Sequence, residues 1–357
     1  MGKQQPHSPA SGSSLNTLVQ NGTSQMNNGI YKPEITVHGN GTDVSNDKAM
    51  KGKAKRKTIT QAMALSLVDV AKNNGRLERM QPYWNTYHCQ NKVYSSGGRL
   101  YGMYCKNRFC TLCCANRKAD IMNRYLPIIR QWEAPYFVTL TVKAVPARLL
   151  KSRIKKGIIR AFQQITAKYR KKHQRGKGIK LMGIKSLECN FNPIRKTYNP
   201  HLHLIVPSKE IADILVKEWL LKWGKEFTSS KAQHRTQVRN KEQALIEIVK
   251  YGSKIFTEPD VNKKATQKGQ HQIHTAALDN IFRAMQGCRI FERFGFNLVL
   301  DQTHEKKKTI LRTYEKWEFN MQHSDWLNQE TLKGLTGYMV NNELYTLLSA
   351  KINQTSQ

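Results

Sequence analysis

The spacing of apolar residues changes period several times between residues 130 and 260, and each change marks an element. Residues 137–142 (Phe-Val-Thr-Leu-Thr-Val) are β-branched and alternating, which predicts a strand. Ile154, Ile158, Phe162, Ile165 and Tyr169 recur at helical spacing with Lys and Arg on the outer face, which predicts an amphipathic helix. Residues 181–191 return to a strand. A turn holding Asn192-Pro193 and Asn199-Pro200 carries the chain into a further strand ending at Val206. Helices are predicted over 210–227 and 241–256, with another strand near 232–239. Two strands joined by a short turn, with helices between the others, predict an α+β fold: a central antiparallel β-sheet with flanking helices.

The strand ending at Val206 carries chemistry. Its alternation sends His201, His203 and Ile205 to one face and Leu202, Leu204 and Val206 to the other. Two imidazoles on one face are half of a divalent-metal site, or else two surface histidines on an edge strand. Glu188 is the only acid between Glu133 and Glu210, and the hairpin lets it face the histidines as a third ligand. Two histidines and a carboxylate with open positions suit Mg²⁺ or Mn²⁺ where a phosphate oxygen is polarised, and the imidazoles also admit Zn²⁺ or Co²⁺.

A second constellation lies on the 241–256 helix. Glu247, Tyr251 and Lys254 share one face, while Leu245, Ile248, Val249 and Ile255 form the buried stripe. Tyr251 is either a surface tyrosine or a nucleophile. A phenolate attacks a phosphodiester once a nearby cation lowers its pKa, and the phosphotyrosine ester conserves the bond for religation. Lys254 is positioned to stabilise the phenolate or contact the phosphate, and Glu247 to activate a water.

Composition adds a partner. Fifty-nine Lys and Arg against 25 Asp and Glu give a formal net charge of +34, which calls for a polyanion. Lys151, Arg153, Lys155, Lys156 and Arg160 open an acid-free stretch that runs to Lys180, expected to track DNA phosphates. With no run of apolar residues long enough to span a bilayer and no apolar signal core, a cytoplasmic protein without membrane contact is expected. Of seven cysteines, Cys89, Cys105, Cys110, Cys113 and Cys114 cluster within a short stretch. Cys89, Cys105, Cys110 and Cys113 either hold a structural Zn²⁺, with Cys114 and His88 as substitutes, or are reduced, partly buried thiols.

Four regions follow. Residues 1–57, rich in Ser, Asn, Gly and Lys, read as a disordered basic arm. Residues 58–130 form a cysteine-bearing helical module, 131–300 the catalytic domain, and 301–357 a charge-neutral helical extension using Trp317, Phe319, Trp326, Leu327, Leu335, Tyr338 and Leu344.

The segments 137–142, Pro200-His-Leu-His-Leu204 and Glu247-x-x-x-Tyr251-x-x-Lys254 occur in the order of the three motifs of HUH endonucleases. The chain more closely resembles the rolling-circle replication initiators of small bacterial plasmids that use one catalytic Tyr and an accompanying Glu. Residues 105–113 resemble the cysteine segment of that family and 277–287 its downstream helix, so the likeness runs from about residue 85 to 297. Thr111 stands where the family often has Pro.

The resemblance implies an HUH-type sheet, with a divalent metal on His201 and His203 and Glu188 as the less certain third ligand. It implies that Tyr251 nicks one strand at the double-strand origin and stays joined to the 5′ phosphate. The free 3′-OH then primes synthesis by host DNA polymerase. Glu247 serves termination, letting water cleave the regenerated origin. Expected partners are single-stranded or hairpin origin DNA, host polymerase, a host helicase, and a second copy of the chain on DNA. The competing readings are an HUH transposase or relaxase, and a non-catalytic zinc-stabilised nucleic-acid-binding protein.

Overall fold

The computed structural model describes residues 33–250, 274–298 and 308–349. The first of these begins with strands β1 (Ile35–His38) and β2 (Thr42–Asp43), the long helix α1 (Asp47–Asn73) and the short α2 (Met80–Tyr87). A hairpin of β3 (Lys92–Ser96) and β4 (Arg99–Gly102) precedes α3 (Thr111–Gln131) and β5 (Tyr136–Thr141). Helix α4 (Ala147–Ser152) runs through a π-helical segment, Arg153–Ile159, into α5 (Arg160–Gln174). The hairpin β6 (Gly183–Asn192) and β7 (Thr197–Val206) follows, then α6 (Lys209–Trp223), β8 (His234–Gln237) and α7 (Lys241–Lys250). The remaining elements are α8 (Thr275–Met285), β9 (Phe291–Phe294), β10 (Lys308–Leu311), β11 (Glu315–Asn320), β12 (Asp325–Asn328) and α9 (Asn342–Ser349).

The sheet that carries the histidines has the order β8-β5-β7-β6-β9, and every neighbour is antiparallel. It is buried on both sides. Leu202, Leu204 and Val206 join Val138, Leu140 and Leu187 in a core closed by Ile154, Phe162, Leu215 and Ile281. Trp219 of α6 is fully buried there and its Nε1 donates to the Thr141 carbonyl at 3.0 Å. Truncating a side chain of that kind costs about 3–5 kcal/mol. The opposite face holds Ile184 and Ile205 against Ile121, Tyr125 and Ile129 of α3 and Leu245 and Ile248 of α7. The period-two pattern of β7 thus serves two different cores, and the histidines lie on the side covered by α3 and α7. Gly157 permits a close approach on the first side, since a Cβ there would sit 2.9 Å from the Trp223 ring.

The other five-stranded sheet, β12-β11-β3-β4-β2, draws on both ends of the described chain, and β1 pairs with β10. Two sequence expectations are corrected here. Residues 33–57 are not a disordered arm: β1, β2 and the first turns of α1 are folded, with Met50 and Ala54 buried. Asn46 caps α1 by accepting the Ala49 N–H at 3.0 Å. The stripe is masked in the sequence because Lys53 and Lys57 occupy buried positions along it. Nor is the segment after 301 a set of helices. Trp317 and Phe319 are spaced by two and lie on β11, packing with Trp326 of β12 against Val93 and Leu100. Of its described residues only 342–349 form an α-helix, and Leu344 of that helix packs against Ile59 and Met63 of α1. The cysteine module is therefore mixed, with a β-hairpin beside its helices. Among the described residues, no helix is long and apolar enough to cross a membrane.

Candidate functional site

The β6–β7 hairpin sets Glu188 directly opposite His201, and β5 sets Thr139 opposite His203. Opposed residues in an antiparallel pair project to the same face. Glu188 Oε2 lies 3.2 Å from His201 Nε2 and 2.9 Å from His203 Nε2, and the two Nε2 atoms are 3.0 Å apart. All three residues are buried. His201 Nδ1 is 2.9 Å from the Asn199 carbonyl, which can only accept, so Nδ1 carries the proton and Nε2 presents its lone pair. Thr139 Oγ1 sits 3.1 Å from His203 Nδ1, able to accept in the same way. Two ring nitrogens and a carboxylate oxygen then converge on one point, a donor set that a divalent cation satisfies. Ligands at right angles about 2.1 Å from a common ion stand about 3 Å apart, which this donor set matches. When both imidazoles are protonated instead, their hydrogen bonds and charge outweigh the burial that pushes the Glu188 carboxyl up, and hold Glu188 below its usual range.

Glu247 lies on α7, half-buried, and its Oε1 accepts from Gln243 Nε2 at 3.4 Å. That helix packs through Ile248 against the face of the sheet that carries the histidines. Tyr251 and Lys254 lie outside the described residues.

The four cysteines Cys89, Cys105, Cys110 and Cys113 come together, with all four sulfurs within 4.8 Å of one another. Cys113 Sγ is 3.8 Å from Cys89 Sγ and 3.6 Å from Cys105 Sγ. Tetrahedral Zn–S bonds of about 2.3 Å require sulfurs about 3.8 Å apart, so the set fits zinc. Hydrogen bonds from Cys110 and Cys113 hold the Cys105 thiol far below its ordinary range, while contact with Cys105 holds the other three above theirs. Cys114 belongs elsewhere, with its Sγ donating to the Arg108 carbonyl at 2.9 Å. His88 is also apart, its ring stacked on Trp84.

Sequence reasoning missed Lys57. Its Nζ is fully buried and donates to the carbonyls of Tyr87 at 2.7 Å and Cys89 at 2.8 Å, and to Asn91 Oδ1. Burial lowers its pKa to about 7, against the pull of nearby thiols. It also missed Thr139 and the Asn199 carbonyl, although the alternation of residues 137–142 put Thr139 within reach of a histidine once the register was known.

The basic stretch divides. Lys151, Lys156 and Arg160 are exposed, while Lys155 and Arg153 are half-buried. The Arg153 guanidinium lies 5.2 Å from the ring centroids of both Trp223 and Phe227.

No family model matches the chain, and no solved structure matches it. The chain is similar to a "Protein rep" of Staphylococcus aureus, 31% identical over 166 residues that span 42% of this chain and 69% of that protein. It is also similar to a "Protein rep" of Streptococcus pneumoniae serotype 2 (strain D39 / NCTC 7466), 30% identical over 176 residues. That match spans 46% of this chain and 52% of the relative, about half its length.

Proposed function

The chain belongs to the Rep family of plasmid replication initiators, and on that premise we propose that it nicks one strand at the plasmid's double-strand origin through Tyr251 to start rolling-circle replication. The observation that carries the reading is the convergence of Glu188 Oε2, His201 Nε2 and His203 Nε2 on one buried point. Bound there, Mg²⁺ or Mn²⁺ would orient the scissile phosphate and neutralise charge developing on its oxygens. The backbone carbonyl of Asn199 and the hydroxyl of Thr139, by accepting from the two Nδ1 atoms, would turn both Nε2 lone pairs toward that point.

In the nicking step the Tyr251 oxygen bonds to phosphorus as the P–O3′ bond breaks. The phenolic proton is lost to solvent, and the departing 3′ oxygen takes up a proton to become the 3′-OH that primes synthesis. Lys254 stabilises the phenolate. Glu247, at termination, activates the water that cleaves the regenerated origin, so no second tyrosine is needed. Cys89, Cys105, Cys110 and Cys113 would hold structural Zn²⁺, which would tie α3 to the β3–β4 hairpin. Exposed Lys151, Lys156 and Arg160 contact phosphates, so origin binding weakens as salt rises.

The test incubates supercoiled origin plasmid with the protein and Mn²⁺ or Mg²⁺. The expected product is open circle with protein attached to the 5′ end of the nick. Tyr251→Phe should bind the origin yet leave it uncut, and normal nicking by that variant would overturn the reading.

A further inference from the structure

The described residues enclose a cavity of about 300 Å³ whose lining includes Lys106, Arg108, Arg117 and Arg289 and no acidic side chain. Its position is set by the same sheet that carries the metal triad. Ser186 lines it, stands opposite His203 across the β6–β7 pair, and precedes Glu188 by two residues on the same strand. Cavity and triad therefore share one face of the sheet. The remaining wall is apolar, with Ile121 from α3, Ile248 from α7 and Phe291 from β9.

Two of the cations are tied to backbone carbonyls. Arg117 Nη2 donates to the Lys106 carbonyl at 3.2 Å, and Arg108 Nη1 donates to the Cys288 carbonyl. Lys106 and Arg108 sit on the loop between Cys105 and Cys110, both members of the cysteine quartet. Arg289 has one acidic neighbour, Glu292, at 3.5 Å and outside the lining. Crowded like charges above an apolar wall are matched by a ligand with one anionic group and one flat apolar group. A nucleotide unit has both, and single-stranded DNA offers an unstacked base to lie against such a wall.

We infer that this cavity seats one nucleotide of single-stranded DNA beside the metal triad, with its phosphate among Lys106, Arg108, Arg117 and Arg289 and its base against Ile121, Ile248 and Phe291. The inference rests on the strand-nicking reading for the identity of the polymer. The cysteine loop thereby becomes part of the DNA path rather than a remote clasp.

Binding of a fluorescent origin-strand oligonucleotide is measured by anisotropy on the full chain carrying Tyr251→Phe, without added Mg²⁺ or Mn²⁺. Binding can then fail or succeed independently of nicking, which the supercoiled-plasmid assay reads separately. Lys106→Ala and Arg289→Ala alter exposed side chains and should leave the fold intact. Each should lower affinity several-fold and reduce the slope of log K against log salt by about 0.7. A scan of single abasic sites should find one position where the parent loses about tenfold in affinity. Unchanged affinity and slope in both variants, or a flat abasic scan, would overturn the inference. So would a free deoxynucleoside monophosphate that binds as tightly as the strand, since the cavity would then be a small-ligand site.

Discussion

Thr139 stands directly opposite His203 across the β5–β7 pair, with its Oγ1 3.1 Å from His203 Nδ1. By accepting from Nδ1–H, the hydroxyl would direct the Nε2 lone pair toward Glu188 and His201. Thr139→Val keeps the branched shape and strand preference but removes that partner. Metal affinity should fall about 10- to 100-fold, as it does when an outer hydrogen bond to a ligating histidine is lost. Titration of Mn²⁺ against nicking rate checks this, and a Val variant that saturates at the parental concentration would show that the hydroxyl has no such role.

Cys113 Sγ lies 3.8 Å from Cys89 Sγ and 3.6 Å from Cys105 Sγ within the cysteine quartet. The purified protein should contain one zinc per chain by elemental analysis. Cys113→Ser should lose that zinc and melt at lower temperature, and a chelator should lower the parental melting point in the same direction. A parent free of zinc, or a Ser variant equally stable, would mark the quartet as plain thiols.

Lys57→Met tests the neighbouring charge. The change retains a long unbranched side chain but removes the charged donor from the Tyr87 and Cys89 carbonyls and from Asn91 Oδ1, which keeps only Gln61 Nε2 at 3.0 Å. Stripping a buried group of its charged partner costs about 3 kcal/mol or more. A shift of the urea midpoint measures it, and a midpoint unchanged from the parent would contradict the account.

Arg153 and Lys156 are three residues apart and should behave differently. Arg153 is taken up by Trp223 and Phe227, so Arg153→Ala should cost about 1–2 kcal/mol of stability and little of the salt dependence of DNA binding. Lys156 is exposed, so Lys156→Ala should leave the melting point alone and lower the salt slope. The reverse pairing of effects would show that the packing does not decide their roles.

Glu247→Ala separates two steps. Half-buried on α7, the carboxylate is proposed to act only at termination, so first-strand nicking should stay within about twofold of the parent. Release of circular product from the regenerated origin should fall at least tenfold, read by gel as accumulated protein-linked DNA. Equal loss of both steps would assign Glu247 to holding Tyr251.

The triad was legible because its geometry is local. Glu188 and His201 are 13 residues apart on one hairpin, and period two decides which residues share a face. The cysteines were legible by type, but their selection was not, since only the fold shows Cys114 turned to Arg108 rather than to the quartet. The ends of the chain were misread for a common reason. Lys53 and Lys57 interrupt the apolar stripe of α1, and the β11 strand shows its alternation over few residues. In both places tertiary partners far along the chain, not local pattern, decide the structure.

Sequence separation also sets an order of assembly. His201 meets Glu188 across 13 residues and His203 meets Thr139 across 64, whereas Trp326 Nε1 reaches the Gln90 carbonyl across 236. Loop closure of the last kind is the slowest to complete. During synthesis the histidine strand finds its neighbours early, while β3 waits for β11 until almost all of the described chain has emerged. The Glu188–His201–His203 cluster is thus born before the sheet behind the cysteine loop is closed, and a chain stopped short of β11 would carry that cluster without that support.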